Sequence, residues 1–455
     1  MSDVYVYLMK IEQVNQIDGH GGAAGICLAL HKAISLVGHQ SFVLVGRQYR
    51  NLSGVKKINH ECGRSGWSRF WMHLARWVNS YSGRIRGAQR VSERWIPYLV
   101  SPKKFWSWWL GHEDFDFPGT KQLLKQAPFI PDVLHLHNLH GDFFDLRELP
   151  TLSRTVPTII TLHDTWLLAG HCAYFVDCRK WESGCSSCPH LDFEPVIRRD
   201  GASFNWLRKL HIYQKSHLTL VCPSQWLANE VSQSILMRGA NRLKVIPNGV
   251  DTSIFKPGIK ASARNQLGWP QDAFIVMFAA NSARSNMWKD YNTMREAVRL
   301  AGEKTSITQI RFFAIGDTAP SEQAGSVRIE FLPYRDSMAE CYQAADVFLH
   351  AAKADNFPTT ILESLACGTP VIATAVGGIT EQIIDGKTGF LVPAGDAPAM
   401  AERLVNLAQS PDLLHSFGMA ASRDAANRFS LEQMGLKYIE LYKEMIEQRE
   451  KYCEN

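Results

Sequence analysis

The chain has 455 residues, 45% of them hydrophobic and 20% charged, with a formal charge of +5 at neutral pH. Ordinary globular usage at this length means two or three domains with full cores, and it excludes a disordered chain, a coiled coil and a fibrous repeat. No apolar run approaches the roughly 18–20 residues of a membrane-spanning helix, and so small a net charge does not by itself imply nucleic acid.

The opening MSDVYVYLMK has an acid at position 3 and no basic run, so it reads as a first strand at 4–10 rather than a signal peptide. A loop with glycines at 19, 21 and 22 leads into a helical pattern that Gly38 stops, and SFVLVG at 41–46 is the next strand. Glycine here permits close backbone approach to a phosphate or sugar, which makes Gly21 and Gly22 candidate binding positions beside the plain-turn alternative. Residues 47–110 break the alternation. They hold 13 Lys/Arg against two acids and seven of the 13 tryptophans, including Trp67, Trp71, Trp77, Trp95, Trp106, Trp108 and Trp109. Basic residues are attracted to an anionic membrane surface, and tryptophan favours its half-wet interface. The insert therefore predicts peripheral binding to an anionic membrane surface, against the alternatives of core-filling aromatics and single-stranded nucleic acid.

Strands follow at 132–138, 158–164, 218–224 and 244–249, then a second alternating series. That series has strands at 273–281, 310–317, 327–333, 346–352 and 371–376, and helices at 290–302, 337–345 and 359–368. A final amphipathic pattern covers 431–448. Strands alternating with helices predict parallel sheets covered on both faces. The reading is α/β, two doubly wound Rossmann-like domains facing a cleft, with boundaries at 1–247 and 248–430. The last helix, 431–455, is expected to pack back on the first domain.

The run DNFPTTILESLACGTPVIATAVGG, from Asp355 to Gly378, concentrates the chemistry. Asp355 and Glu363 stand eight apart with a helix start between them. Asn356 is read as the N-cap and Pro358 as the first helical residue. Amides of that turn, from Phe357 through Thr359 and Thr360, can hold a phosphate. Glu363 can accept two hydrogen bonds from a ribose diol, and Asp355 can reach a polar sugar. The bland alternative is an ordinary helix with two solvated acids.

This run resembles the signature of the family 4 retaining glycosyltransferases, which have the GT-B fold. The chain has Asp355, seven residues, then Glu363-Ser-Leu-Ala-Cys-Gly-Thr-Pro370-Val-Ile, and later Gly377-Gly378 and Asp385-Gly386-Lys-Thr-Gly389. Its first acid is Asp where Glu is commonest. The resemblance implies that Arg284 and Lys289 in NSARSNMWKD carry the donor diphosphate. It implies that His163 in TLHDTW and Asp355 position the donor sugar. It makes the partners a nucleotide diphosphate-sugar and a polyprenyl-diphosphate-linked glycan, with no nucleic acid, and it places the enzyme in the cytoplasm at the inner face of the cell membrane. Asp114-Phe-Asp116 resembles the metal-binding Asp-x-Asp of the other large glycosyltransferase fold, but in GT-B basic residues and helix amides usually replace the metal, so no cofactor is expected for catalysis.

Cys172, Cys178, Cys185 and Cys188 lie five, six and two residues apart. Four thiolates suit tetrahedral zinc, but only one C-x2-C is present; disulfides and simple packing are the alternatives. The GHCA…C…W…GC…CP pattern is similar to the branch of family 4 that includes a colanic acid biosynthesis glycosyltransferase, and implies bacterial surface polysaccharide. Two rivals remain on the residues alone: a sugar-nucleotide epimerase or hydrolase, separated by product analysis with and without acceptor, and a non-catalytic nucleotide-sugar-binding scaffold, supported by binding without turnover.

Overall fold

The computed structural model describes residues 8–19, 21–61, 63–81, 85, 87–304, 309–335 and 337–453. The chain divides into two compact units, one of residues 1–222, 228–244 and 441–455, the other of 223–227 and 245–440.

The first unit holds a seven-stranded sheet. Its strands are β1 (Lys10–Ile17), β2 (Gln40–Arg47), β3 (Val55–Lys57), β4 (Val133–Leu136), β5 (Thr158–Thr161), β6 (Leu218–Cys222) and β7 (Ala240–Val245), in the order β3-β2-β1-β4-β5-β6-β7. Pairings from β3 through β6 are parallel. Residues of β4, β5 and β6 are all buried, as a sheet covered on both faces requires. Helix α1 (Gly22–Leu36) follows β1. The insert contributes α2 (Gly66–Asn79) and α3 (Pro102–Leu110).

In the second unit the strands are β8 (Phe274–Ala279), β9 (Ile310–Ile315), β10 (Glu322–Ala324), β11 (Val327–Leu332), β12 (Val347–His350), β13 (Val371–Thr374) and β14 (Gly389–Val392). Their order is β10-β11-β9-β8-β12-β13-β14, parallel except for β10 against β11. Helices α4 (Met338–Ala344) and α5 (Thr359–Ala366) flank β12 in the chain, and α6 (Leu431–Cys453) closes it. Both units are the Rossmann-like layers expected from the alternating pattern.

Three expectations need correction. The first strand is Lys10–Ile17, not 4–10, and residues 4–7 lie outside the described set. This strand has neighbours on both sides and buries Glu12, Gln13 and Asn15 along with Ile11 and Val14, so its polar content hid it. The strand placed at 244–249 ends at Val245. Pro358, not Asn356, is the N-cap of α5; its ψ of 125° is extended, and no side chain caps the helix.

Tryptophans of the insert do not fill the core. Helix α2 buries only Ser68 and α3 buries nothing. Trp67, Phe70, Trp77, Trp95 and Trp106 are each 57–62% exposed. The Arg198 guanidinium lies over the rings of Trp108 and Trp109, at 4.5 and 4.3 Å. Arg84 and Arg86 fall outside the described residues, as does the side chain of Arg94.

Candidate active site

In the second unit the site is built around the end of β12. His350 is the last residue of that strand and is fully buried. Its Nε2 stands 3.2 Å from an Asp355 carboxylate oxygen and 3.3 Å from Lys289 Nζ. Lys289 also pairs directly with Asp355. Burial works against charge on Asp355, yet Lys289 and His350 outweigh it and hold the carboxyl down at about 2. Burial, then the Lys289 ammonium, lower His350 to about 4. The cluster is therefore a direct Lys289–Asp355 ion pair with a neutral imidazole beside it.

Three residues after Asp355 the chain reaches Pro358 and turns into α5. Phe357 is buried against Phe429, with ring centroids 5.7 Å apart, so only its backbone can serve a ligand. Asn356 accepts a 2.8 Å hydrogen bond from Ser224 Oγ, while its amide nitrogen is buried without a partner. Thr359 and Thr360 open the uncapped helix, half-buried. Unpaired first-turn amides and the helix dipole favour an anion there. One turn in, Glu363 accepts a 2.8 Å hydrogen bond from the Tyr342 hydroxyl on α4. Burial raises Glu363 to about 7, with Tyr342 opposing.

Gly377-Gly378 has a packing reason. A Cβ at Gly377 would stand 1.9 Å from the Asp355 carbonyl oxygen, and one at Gly378 2.0 Å from that of Asn356. Gly377 also has φ of +54°, where a side chain is strained. Two bare backbones thus fix the segment carrying Asp355.

Arg284 is not drawn into the cluster. It is exposed, its amide donates to Asp317 at 3.1 Å, and its guanidinium lies 5.7 Å from the Phe331 ring centroid.

In the first unit, His163 follows β5 and is half-buried. Its Nε2 is 3.1 Å from His137 Nδ1, and His137 Nε2 is 3.2 Å from the Gln13 carbonyl oxygen. Burial lowers His163 to about 4, with Asp164 opposing. His135 stacks on His137 with centroids 4.2 Å apart and bonds the Tyr442 hydroxyl of α6 at 2.7 Å. Gly21 has φ of +135° and caps α1 without a side chain; a Cβ at Gly21 or Gly22 would meet nothing within 4 Å, so this loop leaves room for a ligand.

The acidic pair of the insert is held by cations. Asp116 accepts from Arg64 at 2.7 Å and Ser101 at 2.8 Å, and Lys104 lies 3.5 Å from Asp114. The four-cysteine run does not fit a zinc ion. Among the described residues no three His, Cys, Asp or Glu side chains are gathered to hold a metal. Burial raises the Cys172 and Cys185 thiols to about 12 and about 11, and Cys185 accepts the Gly170 amide at 3.2 Å. Cys172 and Cys185 are buried, Cys178 and Cys188 are half-buried, and Cys188 Sγ stands 3.4 Å from His171 Nε2.

Two family models match the chain: Glycosyltransferase Family 4 over residues 21–254, and Glycosyl transferases group 1 over 273–410. The chain belongs to glycosyltransferase family 4. The enzyme is 26% identical to the putative colanic acid biosynthesis glycosyl transferase WcaC of Escherichia coli K12, over 96% of this chain and all of that one. It is 31% identical to a D-inositol 3-phosphate glycosyltransferase of Thermobispora bispora, over 45% of this chain and 51% of that one. Among solved structures it resembles Anabaena HepE in complex with UDP-glucose, with a TM-score of 0.63 at 15% identity over 96% of this chain and all of that one. Sucrose-phosphate synthase from Thermosynechococcus elongatus gives 0.62 at 17% identity, over 97% and 100%. The fold is GT-B, and the protein is a glycosyltransferase.

Sequence reasoning missed His350, His137, Gln13 and Tyr342. A signal for His137 was present: in VLHLHN the two histidines alternate with period two, which puts both on one face of the strand. His350 closes the apolar run VFLH, where a polar residue at a strand end marks the ligand edge of an open parallel sheet. Nothing local marked Gln13 or Tyr342.

Proposed function

We propose that this glycosyltransferase is a retaining enzyme. It moves a sugar from a nucleotide diphosphate-sugar to a lipid-linked glycan of a bacterial surface polysaccharide, at the cytoplasmic face of the membrane. The Lys289–His350–Asp355 cluster beside the open start of α5 carries the reading. Breaking a sugar–phosphate bond puts negative charge on the departing diphosphate. A preorganised ammonium and unpaired amides stabilise that charge more in the transition state than in the ground state.

Lys289 and the amides of Thr359 and Thr360 take the diphosphate, with Arg284 as a second cation from an exposed position. Glu363 takes the ribose diol. Asp355, held ionised, and His163 orient the donor sugar, and Gly21 and Gly22 leave the backbone open to it. The acceptor hydroxyl attacks from the face the diphosphate leaves, and a donor phosphate oxygen takes its proton, so no side chain serves as general base. Likeness to WcaC supports the polysaccharide role, and the HepE complex with UDP-glucose supports the donor class.

A cavity of about 370 Å³ in the first unit supports the acceptor side. Tyr98, Lys104 and Trp108 of the insert line it with His140, Asp142 and Arg198. Its size suits a small-molecule site. The same insert exposes its aromatic residues and basic charge, as a lipid-anchored acceptor demands. No helix among the described residues is long and apolar enough to cross a membrane.

Product analysis tests the reading. Radiolabelled nucleotide-sugars incubated with membranes of a polysaccharide-producing bacterium should yield labelled lipid-linked glycan with the anomeric configuration of the donor. Free sugar as the only product with and without membranes would make the enzyme a hydrolase, and an altered nucleotide-sugar would make it an epimerase.

A further inference from the structure

Behind His163 lies a hydrogen-bond relay whose direction can be assigned from one end. His31 Nε2 stands 3.3 Å from the Ser53 carbonyl oxygen, which can only accept. His31 therefore carries its proton on Nε2. Burial lowers its pKa, so it is neutral near pH 7 and Nδ1 is an acceptor. Ser41 Oγ lies 2.8 Å from that Nδ1 and donates to it. Ser41 must then accept its 3.0 Å bond from the Gln13 amide nitrogen. This orients the Gln13 amide and leaves its oxygen facing His137 Nε2 at 3.2 Å, with Cys27 Sγ also donating to it at 3.7 Å.

His137 is buried and its pKa lies well below the ordinary value, because desolvation and then its histidine neighbours oppose charge. It donates from Nε2, so Nδ1 is a lone pair. The 3.1 Å contact with His163 Nε2 is then donated by His163. Every step runs the same way, toward Ser53. Reversing the relay would set the His31 Nε2 lone pair against the Ser53 carbonyl.

We propose that this relay fixes His163 as its Nε2–H tautomer and turns the Nδ1 lone pair to the donor sugar, so that the subsite selects a hydroxyl there and rejects a carboxylate. His137 and Gln13 are positioning residues, and His163 is the specificity-determining one. A neutral acceptor pairs with a sugar O–H, but against a carboxylate it leaves two lone pairs opposed and an anion partly desolvated. The relay stands on the geometry of the first unit alone. The choice of sugar rests in addition on the proposed role of His163 at the donor.

The direct test is two-bond ¹H–¹⁵N correlation on the full chain labelled with ¹⁵N-histidine at pH 7, with His163 and His137 assigned by the single variants His163→Gln and His137→Gln. Both rings are expected as Nε2–H tautomers with unprotonated Nδ1. Gln13→Met removes the acceptor that sets the direction, and should bring the Nδ1–H form of His163 into the spectrum. An Nδ1–H or doubly protonated His163 in the wild type, or a spectrum unmoved by Gln13→Met, overturns the relay. A second arm compares UDP-glucose with UDP-glucuronate, and GDP-mannose with GDP-mannuronate, by competition against whichever nucleotide-sugar the enzyme turns over. The neutral member should be preferred roughly tenfold or more. Equal use of hexose and hexuronate with the Nε2–H tautomer in place overturns the selection. If no nucleotide-sugar binds at all, the donor reading fails while the tautomer result stands by itself.

Discussion

Each unit keeps a histidine near the carboxyl end of a strand, and each holds it neutral with a pKa of about 4. The surroundings differ in kind. His350 contacts Lys289, a half-buried cation, and Asp355, a buried anion. His163 ends a relay of neutral groups, His137, Gln13, Ser41 and His31, and its charged neighbour, Asp164, lies outside that relay. A charged cluster suits the place where charge develops during reaction. A neutral, directional chain suits recognition of an uncharged hydroxyl. The comparison separates the two tasks of a group transfer: stabilising what leaves, and choosing what is carried.

The strongest way to break this contrast is at Lys289. Lys289→Ala leaves Asp355 a buried, half-supported anion, costing about 3–5 kcal/mol of stability, and turnover should fall on the order of 10²–10³-fold. Adding Asp355→Asn should restore much of the stability in urea titrations and none of the turnover. Restored turnover would mean the cluster is structural.

Glu363→Gln should weaken nucleotide binding by about 1.5–3 kcal/mol, through loss of a charged acceptor. Wild-type affinity should also depend on pH. The free carboxyl titrates at about 7, and the diol favours the ionised form. Affinity therefore falls as pH drops below about 7 and levels off above it. Calorimetry should find this dependence in the wild type and a flat profile in Glu363→Gln.

Acid stability sharpens the neutral side. The unfolded chain protonates a histidine near 6.5, whereas native His163 waits until about 4. The unfolded state therefore binds more protons in between. The contribution of neutral His163 is full above about 6.5 and is lost as pH falls toward 4, on the order of 3 kcal/mol. His163→Gln should lose that much less stability across the window in urea unfolding at stepped pH.

The smallest effect on folding is expected at the exposed aromatics. Trp67→Ala, Trp77→Ala and Trp106→Ala together should leave the melting temperature within a few degrees, since these rings are more than half exposed. Co-sedimentation with anionic vesicles should drop sharply, and wild-type binding should weaken with salt. Equal, negligible binding of wild type to anionic and neutral vesicles would remove the membrane from the account and leave both histidine sites intact.

What the sequence made legible follows from how local each signal is. The Asp355–Glu363 run could be read because helix start, acids and glycines lie within a short stretch of chain. The packing of Gly377 and Gly378 on the Asp355 segment explains why those glycines accompany the acids. The second sheet was readable because its strands are apolar and short. The first strand was misplaced because it buries three polar side chains, Glu12, Gln13 and Asn15, that mimic a loop. Gln13 and His137 are 124 residues apart, and neither carries a motif that names the other. The cysteine run had suggestive spacing, but spacing does not say whether the sulfurs converge. The exposure of the insert was half visible: composition gave the aromatics and the charge, while only the burial of each ring told core from surface.

The central claim is that the Lys289–His350–Asp355 cluster and the start of α5 form a nucleotide diphosphate site. Thermal unfolding of wild type, Lys289→Ala and Glu363→Gln with millimolar UDP, GDP, ADP and dTDP tests it most directly, since a ligand bound only by the native state raises the melting temperature. At least one nucleotide should stabilise the wild type by several degrees, with the shift largely lost in both variants. No shift with any of the four, or a shift retained in full by both variants, would contradict it.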